Sequence, residues 1–298
     1  MRRFTFRAMA AVNEIQIDGA DDRLAAAAAA SAIEEVLRIE AKYSRYRDDS
    51  VVSRISAAAG GEAVAVDEET AGLLAFADTC FRQSDGAFDA TAGILRRAWD
   101  FKVNRLPSHA ELAPLLGKIG WQRVEISRGT VRLPEKGMEL DFGGFGKEYA
   151  VDRAALRLRE AGAANALVNL AGDVAVLGPH RDGSPWNIGI RHPRNESTAI
   201  ATLPVTSGAI ATSGDYERFI EVDGVRHCHI LDPRTGRSAR GFQSVTVHAS
   251  TCVVAGSATT IAMLKGREAG LAWLNSLGLA YLCVLDNGEI VQDTGERA

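Results

Sequence analysis

No apolar run in this chain approaches the ~20 residues that cross a bilayer as a helix, so no membrane span is expected. A basic surplus is also missing: 34 Lys and Arg stand against 38 Asp and Glu, for a formal charge of −4 and a pI near 5.9. Nucleic-acid binders usually carry positive excess, so broad phosphate-backbone binding is excluded, although a small cationic pocket is still allowed. Trp99, Trp121, Trp186 and Trp273 are scattered without interleaved basic residues, which removes an aromatic nucleic-acid platform. Cys80, Cys228, Cys252 and Cys283 form neither a CxxC pair nor a zinc spacing. Three of them lie in apolar surroundings and read as reduced packing residues, with Cys228 left open, which suits a reducing cytoplasm. There is no GxSxG elbow and no HExxH, so serine and zinc hydrolase chemistry lacks support. Repeats of about 20 to 50 residues and long linkers rich in Pro, Gly or Ser are absent too.

What remains is an ordinary globular composition, 298 residues with 46% hydrophobic, enough for two domains or one large one. The N-terminus MRRFTFRAMAAVNEIQIDG interrupts any signal-like core with Arg7, Asn13 and Glu14. The cytoplasm is therefore expected for the chain as it stands, or the periplasm had a leader been removed. From Asp21 to about Tyr43 six consecutive alanines precede a stripe of Ile33, Val36 and Leu37 with Glu and Lys opposite. Alanine propensity and this spacing predict a helix, its alanine run serving close packing. A second helix follows the N-cap Asp67, buries Leu73, Phe76, Ala77, Cys80 and Phe81, and ends at Ser84-Asp85-Gly86. From about Arg123 the period becomes that of strands: RVEI, TVRL, MELDF, ALVNL, VAVL, WNIGIR, ATLPVTS, QSVTVHA and YLCVL. Two helices interrupt them, one after Gly146 ending at Gly162, the other beginning near Gly256. Short connections favour antiparallel pairing. The expected class is α+β, with mixed, largely antiparallel sheets and packed helices. One unit over 1–298 is expected, with a helical N-terminal lobe over about 20–115.

The strongest local signal for chemistry is MELDFGGFGKEYAVDRA, residues 138–154. Three glycines fall within four positions and Lys147 stands at a helix start, where backbone N–H groups attract anions. It is not a Walker A loop, because Glu148 replaces Ser or Thr, nor a Rossmann GxGxxG. Residue types alone leave two readings, an anion cradle or a tight packing turn. SDGAFDAT (84–91), NLAGD (169–173), ATSGDYERF (211–219) and HCHILDPRTG (227–236) likewise place polar residues where elements stop; each taken singly reads as a turn. His227 and His229 would share a face of a strand, which allows a metal pair; without a third ligand nearby, one exposed and one structural histidine is the favoured reading. Asp232-Pro233-Arg234-Thr235-Gly236 reads as a turn able to hold His229 in place.

Nine segments in order resemble the ApbE-type FAD:protein FMN transferase family, from about Met9 to Leu285: YSRYRDDSVVSRI, SDGAFDAT, DFGGFGKEYAVD, LVNLAGD, WNIGIRHP, ATSGDY, HILDPRTG, SVTVHA and AGSATTIAMLKG. The resemblance implies a T-fold-like architecture. It also implies binding of FAD, Mg²⁺-assisted cleavage of its pyrophosphate, and a phosphoester between FMN and a threonine hydroxyl of a target flavoprotein, with AMP leaving. Carried over by position, Met9, Tyr46, Ala87, Phe88 and Asp89 match flavin-contacting residues. Asp141 and Lys147 match the FAD-binding glycine junction, and Ile230 lies beside the family's histidine, matched by His229, which orients or deprotonates the threonine. For Tyr46, stacking on a flavin stands against a half-buried tyrosine at a helix end. The chain departs from the family twice. Where the last helix usually opens Ala-Asp-x-x-x-Thr, with Asp and Thr on the metal, this chain has Ala255, Gly256 and Thr260. That leaves Thr260 and the Gly144 carbonyl to hold Mg²⁺, or another aspartate as substitute. The usual Met-Gly-Thr near the start is here Met9-Ala10-Ala11. The alternatives to transfer are a catalytically weak FAD-binding carrier or maturation protein and a pyrophosphatase giving FMN and AMP.

Overall fold

Alternating apolar residues build the sheet on which everything else rests. The structure, a computed structural model, describes residues 1–295. Its first elements are the hairpin β1 (Arg2–Ala8) and β2 (Ala11–Ile17), then α1 (Asp22–Tyr43), α2 (Val51–Ala57), β3 (Val64–Ala65), α3 (Glu68–Gln83), α4 (His109–Leu116), β4 (Glu125–Ser127) and β5 (Thr130–Arg132). The rest comprises α5 (Gly146–Glu160), β6 (Ala166–Leu170), β7 (Asp173–Val176), β8 (Trp186–His192), β9 (Asn195–Val205), β10 (Gly208–Gly214), β11 (Phe219–Val222), β12 (Val225–Cys228), β13 (Phe242–Ala249), α6 (Cys252–Lys265), α7 (Arg267–Leu277), β14 (Ala280–Leu285) and β15 (Ile290–Asp293). Eight strands form one sheet in the order β1-β2-β6-β7-β10-β13-β14-β15, with every pair antiparallel. This is the expected α+β class. Among the described residues no helix is long and apolar enough to cross a membrane.

Period-two alternation splits the two faces of the sheet. Val168 and Leu170, Ala209 and Ala211, Val245 and Val247, Cys283 and Leu285 enter the main core with α1, α5 and α6. Leu167, Val174, Val176, Ile210, Leu282 and Val284 enter a second core under the β8–β9 hairpin, against Trp186, Ile190 and Val205. By the same parity Asp173, at the start of β7, and Ser213, near the end of β10, belong to the helix face. The alanine run does serve close packing: Ala25, Ala28, Ala29 and Ala32 are buried and α1 lies along α5. All four cysteines are buried and free, and burial pushes the Cys80 and Cys283 thiols up to about 12. Cys228 joins them as a packing residue, with its sulfur beside Ser238 Oγ at 3.4 Å.

Three expectations change. Residues 138–142 are extended and mostly buried but form no strand. Their alternation is real, yet no strand lies alongside: Leu140 N donates to Ser56 Oγ of α2 at 2.9 Å and Asp141 N to Ala90 O in a loop at 2.8 Å. In α1 the buried stripe runs through Val36 and Ile39 while Leu37 is exposed, and Glu35 is buried rather than facing solvent. Helix α6 starts four residues before Gly256, and its first N–H groups, on Cys252 and Val253, donate to the Asp152 carboxylate of α5 at 2.7 and 2.9 Å.

The β1–β2 loop has two residues, Met9 (φ 53°) and Ala10 (φ 61°), both left-handed. That is the geometry of a tight hairpin that favours glycine. Met9 N donates to Glu40 Oε1 at 2.7 Å, tying the loop to α1. An alanine there carries roughly 1 kcal/mol of steric cost, so Ala10→Gly is expected to stabilise the protein by up to that amount, measured by urea denaturation. A destabilised variant would show that the alanine methyl is held by contacts that outweigh the strain.

Candidate functional site

The chain leaves its buried stretch at Asp141-Phe142, turns through Gly143-Gly144-Phe145, and enters α5 at Gly146. No side chain caps this 15-residue helix; Gly146 N donates to Phe142 O at 2.6 Å, and the positive end of the helix dipole lies at the turn. The turn is held on both sides. Asp141 accepts from Gly143 N at 2.8 Å and pairs with Arg45. Phe88 packs beneath, where a Cβ at Gly144 would come within 2.7 Å of its ring. Lys147, in the first turn, lies 2.7 Å from Asp173 Oδ2. Burial alone would lower its pKa, but the charges of Asp173 and Glu148 overcome this and raise it, so the ammonium stays charged.

Glu148 is the next residue, buried against α6. Burial first, then the negative charge of Asp173, hold its carboxyl above the usual carboxylate range. Its Oε2 has no hydrogen-bond partner. Thr260, half-buried on α6, lies 3.3 Å from Ser213 Oγ, and Ser213 also meets Thr259 Oγ1 at 2.8 Å. The donor set around the glycine turn is therefore carboxylate, hydroxyl and backbone carbonyl, hard oxygens that suit Mg²⁺ or Mn²⁺ rather than zinc. The unpartnered Glu148 oxygen is what a cation would satisfy. Among the described residues no group of three His, Cys, Asp or Glu stands ready as a metal cage by itself. Any cation here would share its shell with a ligand or water.

The two histidines separate. His227 lies in β12, buried, with its ring 6.3 Å from that of Trp99. His229 follows the end of β12 and reaches solvent, its backbone N donating to Arg218 O at 3.0 Å. Desolvation by the surrounding protein, then the charges of Arg218, Lys147 and Arg45, lower its pKa to about 4. The charges of Lys147 and Arg45 are thus felt at the His229 ring. Asp232 does not hold the imidazole; its carboxylate takes the Arg234 guanidinium at 3.0 Å, and Trp99 Nε1 anchors the loop through Gly236 O at 2.8 Å. Ile230 is half-buried against the main core.

Among the other expected residues, Tyr46 is 72% exposed, in the turn after α1, with the Arg45 guanidinium 5.1 Å from its ring centre. The half-buried reading fails, because the helix ends at Tyr43 and Tyr46 stands in the turn beyond it, with Arg45 alongside its ring. Ala87 and Phe88 are buried. Asp89 has its carboxylate turned into the fold, accepting from Thr91 N and Oγ1 at 2.7 and 2.6 Å and from Trp121 N at 3.0 Å. Sequence reasoning passed over Arg45, Asp173 and Ser213 as individuals, although each lay inside a quoted segment. It read Glu148 only as a mismatch to a phosphate loop. A cleft of about 580 Å³ on the other face of the sheet, lined in part by Asn169, Thr212 and Tyr216, reaches Gly172 beside Asp173.

Comparison with known proteins agrees across nearly the whole chain. The ApbE family model matches residues 9–283. A FAD:protein FMN transferase of Vibrio cholerae is 33% identical over 236 residues, covering 77% of this chain and 70% of that protein. One from Rhodobacter capsulatus is 34% identical over 249 residues, covering 82% of this chain but 47% of its longer relative. The crystal structure of the ApbE protein of Thermotoga maritima superposes with a TM-score of 0.88 at 34% identity, covering 98% of this chain and 96% of that one.

Proposed function

Because the chain belongs to the ApbE family, we propose that it moves the FMN half of FAD onto a threonine hydroxyl of an acceptor flavoprotein. The threonine Oγ–P bond forms, the bridging P–O bond of the diphosphate breaks, the hydroxyl proton passes to His229, and AMP leaves. One observation supports this most directly. The uncapped start of α5, the Lys147 ammonium and a histidine held neutral occupy one electrostatic neighbourhood. Anionic phosphates need the first two, and a weak hydroxyl nucleophile needs the third. Tyr46 offers an exposed ring to the isoalloxazine, while Met9, Ala87 and Phe88 shape the surroundings of the glycine turn and the β1–β2 loop. Asp89 contributes through the loop it braces. Mg²⁺, held by Thr260 and the Gly144 carbonyl, would offset diphosphate charge as the bond breaks. The described chain is taken to act as a single transferase unit.

The test is to incubate the protein with FAD, Mg²⁺ and a candidate acceptor, then weigh the acceptor and assay AMP. A mass gain of one FMN with matching AMP is the expected result. AMP without a mass gain, across acceptors carrying exposed threonines, would reassign the site to hydrolysis of FAD. Tight FAD binding with no AMP would make it a carrier.

A further inference from the structure

Gly256 and Glu148 share one volume. A Cβ built on Gly256 would come within 3.0 Å of both the Glu148 carboxyl carbon and Oε1, so a side chain at 256 and the present position of Glu148 exclude one another. The Glu148 carboxylate therefore lies against the α6 backbone, where an acidic residue on α6 would begin. Glu148 is 9% exposed and its Oε2 has no hydrogen bond. A buried, unpartnered carboxylate oxygen is costly unless something positive reaches it. The charge of Lys147 is felt at Glu148, but its ammonium sits 2.7 Å from Asp173 Oδ2 and gives Glu148 Oε2 no hydrogen bond. Thr260 follows Gly256 by one helical turn and so stands on the same side of α6, with its hydroxyl in the Ser213–Thr259 cluster.

We infer that Glu148 is this chain's carboxylate ligand for the divalent cation that accompanies the flavin diphosphate, reaching from α5 into the space that Gly256 leaves open on α6. The inference rests on the proposed function and adds that residues 148 and 256 are a compensating pair, the carboxylate standing on α5 and the room for it on α6.

Mn²⁺ serves as the probe, titrated into the protein with FAD and followed by the electron paramagnetic resonance of the free ion. FAD affinity is measured separately by flavin fluorescence. Glu148→Gln, nearly isosteric, is expected to weaken Mn²⁺ binding roughly tenfold or more while the protein stays folded by circular dichroism and still binds FAD. Glu148→Gly should lose the ion similarly, and Glu148→Gly combined with Gly256→Asp should recover it. Unchanged Mn²⁺ affinity in Glu148→Gln with FAD still bound would overturn the ligand assignment and leave the transferase reading standing. A double variant that binds Mn²⁺ no better than Glu148→Gly would overturn the compensation. Failure of the unaltered protein to bind FAD at all would sink both.

Discussion

Replacing His229 by alanine is expected to slow FMN transfer by about 10²- to 10⁴-fold, the usual worth of a positioned general base, while FAD affinity changes only a few-fold. The reason lies in its charge state. The protein packed around the ring, which strips water from it although one edge still reaches solvent, and then the neighbouring cations Arg218, Lys147 and Arg45 lower the imidazole pKa to about 4, so at neutral pH it is unprotonated and free to accept the threonine proton. Acid removes that capacity: as pH falls through about 4 the ring gains a proton and kcat/KM, which reports the free enzyme, should fall with it. The bound diphosphate brings negative charge to the same cations and partly cancels their field. The acid limb of kcat should therefore lie at higher pH than that of kcat/KM. Transfer rates measured across that range with one acceptor check both limbs. An alanine variant that transfers at the parent rate would remove His229 from the chemistry.

The second large effect is on stability. Glu35 is buried in α1, and its carboxylate accepts from Arg38 at 2.9 Å and from Arg153 of α5 at 2.8 Å, with Arg157 at 3.5 Å. Glu35→Ala removes the carboxylate on which the three guanidiniums converge, although Arg38 keeps Glu69 and Arg157 keeps Glu160. Breaking a buried ion pair costs about 3 to 5 kcal/mol, and the partial exposure of the arginines places this case near the lower figure. The hydrogen bond from Arg38, then that from Arg153, outweigh burial and hold the Glu35 pKa at about 2 instead of 4.5. A lowered carboxylate pKa contributes stability that is whole above pH 4.5 and is lost as pH falls through about 2. The difference between the parent and Glu35→Gln should therefore shrink over that interval, read from urea midpoints at each pH. A constant difference would mean that packing, not charge, is what Glu35 supplies.

What could be read in advance follows from how local each determinant is. Helix α3 was legible from Asp67 to Ser84 because its cap and stripe lie within its own residues. The sheet was legible through short apolar runs of strand length bounded by turns, which burial of both faces produces. Residues 138–142 alternate equally well, but pairing depends on what lies alongside, and there it is Ala90 and Ser56. Glu35 seemed a solvent-facing residue because the arginine that buries it is 118 positions away. The glycine turn and Lys147 were visible as an anion cradle in outline. The tie between Glu148 and Gly256 was not, since a missing side chain on one helix acquires meaning only when another helix fills the gap.

Helix α5 touches α6 at two levels. Asp152 grips the first N–H groups of α6, and one turn earlier Glu148 nests against Gly256, itself one turn along α6. The helices are thus indexed like a rack and pinion. A slip of a single residue is ~1.5 Å along the axis, enough to break both engagements together. The Thr260 hydroxyl on α6 and the glycine turn that opens α5 are thereby carried on two helices locked in a single register.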